Sequence, residues 1–158
     1  MSGLKQTFVT KITDINSSAQ EPLGSVRIEG NKIYKYCEIK NVTGTVAGAA
    51  GSLVAYNAAS GYDNNKVVIK LADADAAPFA AGALSATVTG TLAVSYFGWV
   101  QTKGACTLDT AVTTGGAGKG FTLTTTDKTG TVAIATDLSP YAGVSVNSTT
   151  GVVLDCPL

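Results

Sequence analysis

Turn signals recur about every ten residues along this chain, and that rhythm limits what it can fold into. Gly30-Asn31, Ser60-Gly61, Asp63-Asn64-Asn65, Thr102 to Gly104, Asp127 to Gly130 and Asn147 to Gly151 each punctuate short runs rich in Val, Thr, Ile and Tyr. Runs of that length separated by such turns are the pattern of an all-β sandwich or barrel. The chain has 158 residues, enough for one domain with a real core. No internal repeat of fixed period stands out. The reading is therefore an all-β single domain, a sandwich or barrel-like body over 23–158, preceded by an extended N-terminal arm over 1–22.

The clearest local unit is a hairpin. Ser25-Val26-Arg27-Ile28 leads through Glu29-Gly30-Asn31 into a return strand from Lys32 to Lys40. Period two puts Ile33, Lys35, Cys37 and Ile39 on one face and Tyr34, Tyr36, Glu38 and Lys40 on the other. A second stretch, Tyr96-Phe97-Gly98-Trp99-Val100-Gln101, holds the only Trp of the chain. Val94, Tyr96, Gly98 and Val100 share one face; Phe97, Trp99 and Gln101 share the other. Large apolar groups on both faces predict a strand covered on both sides, either as the central strand of an ordinary sandwich or with a core on one side and a neighbouring subunit on the other. Gly98 permits a bulge or a close backbone approach.

Elsewhere, strands are expected at 53–56, 66–71, 84–93, 105–112, 121–126, 131–135, 144–146 and 152–154. Ala72 to Ala83 could pass for a helix, which Pro78 and Gly82 limit to a turn or two. Thr102 to Gly104 should turn the chain. In the arm, a short β-like run, Thr7-Phe8-Val9-Thr10, is mixed with Lys5, Lys11, Asp14, Gln20 and Glu21 before Pro22. Fully extended, the arm would reach about 70 Å, enough to cross onto a neighbouring subunit. The plainer alternative is a frayed terminus.

Charge and chemistry exclude more than they assign. Lys and Arg number 11, Asp and Glu 11, so nothing steers the chain toward nucleic acid or an anionic membrane. No stretch approaches ~18 apolar residues, so no bilayer span is expected. Met1 to Gln20 lacks the apolar run of a signal peptide, which predicts a cytoplasmic site of synthesis. With only 14% charged residues and many Thr and Ala, the surface suits contact with copies of itself or with a larger assembly.

There is no His, and the three cysteines, Cys37, Cys106 and Cys156, are widely spaced. They read as small buried hydrophobes rather than a disulfide framework or a zinc site. Thr113 to Gly120 superficially resembles a phosphate loop. It lacks the first Gly, since position 113 is Thr113, and the final Ser or Thr, since position 120 is Gly120. Asp73 with Asp75, and Asp63-Asn64-Asn65, offer oxygens at short spacing but no spaced bidentate Glu, so turn formation explains them. Asn41-Val42-Thr43 and Asn147-Ser148-Thr149 match the glycosylation pattern, which is common by chance in a Thr-rich chain. No enzyme, cofactor or metal is expected.

Leu23-Gly24-Ser25 followed by Gly30-Asn31-Lys32-Ile33-Tyr34-Lys35-Tyr36 resembles the opening of the small decoration, or cement, proteins of tailed-phage capsids. Tyr96-Phe97-Gly98-Trp99-Val100-Gln101-Thr102-Lys103-Gly104 is similar to their "YGWVQ…G" segment, with Phe97 between the Tyr and the Gly. The ending Val152 to Leu158 is similar in style. The resemblance implies a virion protein without an active site, a homotrimer on the outer surface of the capsid that braces the mature shell. Its partners would be the major capsid protein and its own copies. Phe8, Val9, Tyr34, Tyr36, Phe97, Trp99 and Gln101 are the expected capsid or subunit contacts. The competing expectation is a carbohydrate-binding or adhesin-like module of a fibre or spike, whose cue would be Tyr56, Tyr62 and Trp99 exposed in a groove.

Overall fold

A computed structural model describes residues 7–40, 46–58, 63–69, 76–91, 94–110, 112, 117–123, 130–132, 142–146 and 150–156. The chain is all-β and sandwich-like. Its strands are β1 (Ile15–Asn16), β2 (Val26–Glu29), β3 (Lys32–Ile39), β4 (Val46–Gly48), β5 (Leu53–Asn57), β6 (Asp63–Val68) and β7 (Ala76–Leu84). They continue with β8 (Val88–Gly90), β9 (Tyr96–Thr107), β10 (Gly120–Leu123), β11 (Gly130–Val132), β12 (Gly143–Ser145) and β13 (Gly151–Asp155).

β9 organises the fold. One edge pairs with β3 from Tyr96 to Lys103. The other edge is shared in sequence by β1 at Phe97 and Gly98, β7 at Val100 and Gln101, and β13 from Lys103 to Thr107. The ladder also closes on itself, because β9 pairs β7, β7 pairs β5, β5 pairs β6 and β6 returns in parallel to β3. This ring encloses a core to which all five strands contribute, with Cys37, Ile39, Val54, Tyr56, Val67, Ala81, Leu84 and Val100 buried inside. The small β4–β8 sheet adds Val46 and Val88 to it.

A second core lies outside the ring. Leu53, Ala80 and Ala83 point away from the first core and pack with Phe121, Val152 and Leu154 of the β10–β13 extension. Strands β5 and β7 are therefore packed on both faces. That is why the Ala-rich stretch forms a strand and not the helix its composition permits: small side chains let two layers close on it, and packing overrides propensity. Gly82 marks the tightest point, where a Cβ would lie 2.3 Å from the Gln101 carbonyl oxygen.

The hairpin forms as expected, with Gly30-Asn31 linking Glu29 to Lys32. Three other expectations are corrected. Asp63-Asn64-Asn65 opens β6 rather than making a turn. Thr102 to Gly104 does not turn the chain. Gly104 takes φ +93°, and the pairing with β3 slips by one residue between Ile33 and Tyr34, so the extra residue is absorbed as a bulge and β9 runs on. The N-terminal segment, from Thr7 onward, is not an arm reaching outward. It turns at Lys11 to Asp14 and lays β1 along β9, Ile15 opposite Gly98. Among the described residues no helix is long and apolar enough to cross a membrane.

Candidate functional site

The residues singled out in the sequence meet on the outer face of β3 and β9 in direct cross-strand pairs: Tyr34 with Gln101, Tyr36 with Trp99, Glu38 with Phe97. Two-residue periodicity put each set on one face of its own strand; the pairing of the two strands comes from the structure alone. Periodicity could not show what covers them. Phe8 stands edge-on to the Trp99 ring at 5.1 Å, and Tyr36 meets the same ring at 5.2 Å. Ile12 and the half-buried Phe97 complete the cluster. Trp99 is 0% exposed. Its cover is this chain's own residues 8–12, which corrects the expectation of a neighbouring subunit over that face.

Polar groups fasten the segment down. The Trp99 indole Nε1–H donates to Thr10 Oγ1 at 2.9 Å. Thr10 Oγ1 in turn donates to Glu21 Oε1 at 3.1 Å, and the same oxygen accepts the backbone N–H groups of Val9 and Thr10. The backbone N–H of Gln20 donates to the Tyr36 hydroxyl at 3.2 Å. Arg27 lies over the Phe8 and Trp99 rings at 5.3 and 5.8 Å, donates to the Thr10 carbonyl and pairs with Glu29. Thr10, Glu21 and Arg27 were missed by the sequence reading. The one signal was the spacing of Phe8 and Thr10, two apart in a β-like run, which sends both to one side. Val9, between them, is 81% exposed and is the one residue of the expected contact set that faces outward freely.

Below Ile12 the same face is not covered. An open groove of about 300 Å³ lies there, lined by Ile12, Lys32, Tyr34, Ser85, Gln101 and Cys106 among others. Tyr34 and Gln101 are each only 5% exposed. Gln101 Nε2 is held by the carbonyls of Lys103, Gly104 and Ala105, at the bulge. Burial, and then the nearby Glu29 carboxylate, push the Tyr34 hydroxyl above its ordinary pKa. Burial likewise raises the Cys106 thiol, with Lys32 opposing.

All three cysteines are free thiols; Cys37 and Cys156 are buried as expected, whereas Cys106 is half-buried. Cys156 is pushed up to about 12, first by burial and then by Asp155. Among the described residues no group of three or more His, Cys, Asp or Glu side chains is placed to hold a metal ion. Tyr62, Asp73, Asp75, both glycosylation patterns and residues 113–116 of the glycine-rich loop lie outside the described residues. No family model, curated protein or solved structure matches this chain.

Proposed function

We propose that this chain is a structural virion protein that binds the outer surface of a tailed-phage capsid and braces the mature shell, acting as a homotrimer. The reading rests on the resemblance of Gly30 to Tyr36 and Tyr96 to Gly104 to decoration proteins. Those two segments are neighbours in space, on β3 and β9.

The observation that carries a docking role is a face of exposed aliphatic side chains on the β12–β13 extension. Val144 and Val153 are direct cross-strand partners at 45% and 43% exposure, and Val146 follows at 50%. In a chain with few charges, such a face suits packing on a protein lattice. A protein that binds only the mature lattice stabilises it by its binding free energy at every site. No observation favours the carbohydrate-binding alternative: Tyr56 and Trp99, two of its three expected aromatics, are buried in the interior.

The test is to purify shells from the phage that encodes this chain, with and without it. The proposal expects the chain to co-sediment with mature shells and to raise the temperature at which they release DNA. Shells that neither bind it nor change in stability would overturn it.

A further inference from the structure

The segment from Thr7 to Asn16 lies on the body as a ligand lies in a site. Phe8, Thr10 and Ile12, two apart, face the trench over β3 and β9. Phe8 stands against the Trp99 ring, Thr10 takes the indole N–H, and Ile12 packs with the same cluster. Ile15 then reaches the core inside the ring. The backbone between them is gripped from two sides. Glu21 Oε1 accepts the N–H groups of Val9 at 2.6 Å and Thr10 at 2.9 Å, and Arg27 Nη1 donates to the Thr10 carbonyl at 2.8 Å. Ser85 Oγ donates to the Ile12 carbonyl. A carboxylate and a guanidinium that read the N–H and C=O of one residue, beside an aromatic pocket, recognise an extended peptide.

Every one of these partners lies beyond the link from Ser17 to Ala19, which is exposed throughout. The same contacts therefore form whichever copy of the chain supplies the segment. The one flaw in the arrangement within a single chain is also at the link. Asn16 Nδ2 is buried and, among the described residues, has no acceptor. Buried polar groups are ordinarily hydrogen-bonded, so this donor disfavours the path the chain takes there. Asn16 is the last residue before the link. A different path at that point brings its donor to an acceptor or to water and leaves the contacts of Phe8 to Ile15 intact.

We propose that the trench is a peptide-binding site whose occupant is exchanged between copies, residues 7–16 of one copy filling the trench of a second. The segment seen to fit is this chain's own, so a second copy is the partner that carries it. A short tether holds the segment at an effective concentration in the millimolar range, so in dilute solution each chain fills its own trench. Exchange takes over where copies are held at comparable density, and it costs little because the same bonds are made. The inference does not rest on the capsid-binding reading.

Two full-length variants, each with one half of the fit, test it. Phe8→Ala keeps the trench and weakens its own segment; Glu21→Gln keeps the segment and weakens its own trench. Two-dimensional NMR of isotope-labelled Phe8→Ala follows the indole N–H of Trp99, the only Trp in the chain. Alone, this N–H should exchange with solvent about tenfold faster than in the wild type, the scale of one lost contact. Unlabelled Glu21→Gln at millimolar concentration should return the signal to its wild-type position and slow its exchange. Unlabelled Phe8→Ala should do neither. An indole as protected in Phe8→Ala as in the wild type, or one that added Glu21→Gln leaves unmoved, would overturn the proposal. If either variant lacks the wild-type amide spectrum of the body, a dye-labelled peptide of residues 7–16 added to the wild-type chain decides. Its anisotropy should rise with protein concentration, while that of the same peptide with Phe8→Ala stays flat; equal curves overturn the proposal.

Discussion

The indole nitrogen of Trp99 donates a hydrogen bond to the hydroxyl of Thr10, 89 residues earlier, and that hydroxyl donates onward to the buried Glu21 carboxylate. This chain of bonds joins the N-terminal segment to the central strand at its largest fully buried side chain. Thr10→Val keeps the shape but leaves the indole N–H without a partner inside the protein. Leaving a buried donor unsatisfied costs about 1–3 kcal/mol. Urea unfolding of Thr10→Val should show a lower midpoint, with the slope unchanged. An unaltered midpoint would mean that the segment contributes nothing to the stability of the body.

Glycine at position 98 carries the same relationship from the other face of β9. A Cβ there would lie 2.5 Å from Ile15 Cδ1 and 3.2 Å from the Asp14 carbonyl oxygen. Ile15 reaches past this gap to pack on the core inside the ring. Gly98→Ala should therefore destabilise by about 1–3 kcal/mol through overpacking. Ile15→Ala loses its own packing but frees the space. The double variant should accordingly be less destabilised than the sum of the singles, a coupling that unfolding measurements on all four proteins report. Strict additivity would show that Ile15 does not occupy that space in solution.

How much of this was legible depends on the range over which each signal acts. The Gly30-Asn31 hairpin and the two faces of β3 and β9 follow from local chemistry, whereas the pairing of Tyr36 with Trp99 is a long-range contact that no local signal carries. The bulge at Gly104 was not legible. A glycine after Thr102-Lys103 reads as a turn, and only the partner strand and a close approach to the Asn31 carbonyl reveal a kink within a continuing strand. The alanine-rich stretch misled for a similar reason, since Ala80, Ala81 and Ala83 are buried between two cores, where closeness of layers outweighs helix propensity. The cover over Trp99 depends on Thr10, Glu21 and Arg27, whose polar character gave no hint that they would be drawn into the interior by one another.

Cys156 supplies a dependence on pH. Its thiol is pushed up to about 12 in the folded chain, from an ordinary value of 9.0. Above about pH 9 the unfolded chain gives up this proton while the folded chain keeps it. The unfolded state then binds fewer protons, so stability falls as pH rises, by up to ~1.4 kcal/mol per pH unit for one such group. The stabilisation is complete below pH 9 and is lost by about pH 12. Tyr34, also raised, adds in the same direction above its own ordinary value of 10.0. Cys156→Ala should flatten the slope of stability against pH in that window. An unchanged slope would place its source elsewhere. At pH 8, iodoacetamide should modify the half-buried Cys106 before Cys37 or Cys156, which a mass spectrum of the native protein resolves.

The exposed valines of β12 and β13 separate the proposed docking face from the body of the fold. Val144 and Val153 sit opposite each other with their side chains in solvent, while Val152 and Leu154 of the same strand are buried in the second core. Val144→Asp with Val153→Asp puts two like charges across a strand pair, at a cost of well under about 1 kcal/mol each on an exposed face. The thermal midpoint should move by only a few degrees. Binding to mature shells should be lost, because burying two carboxylates without partners against a lattice is far more costly than exposing them to water. Light scattering of the wild-type chain should give a mass about three times the 15.9 kDa of one copy. If the double variant loses shell binding yet keeps that mass, this face meets the capsid. If it becomes a monomer instead, the same valines hold the copies together. Retained binding with an unchanged mass would remove this face from both contacts.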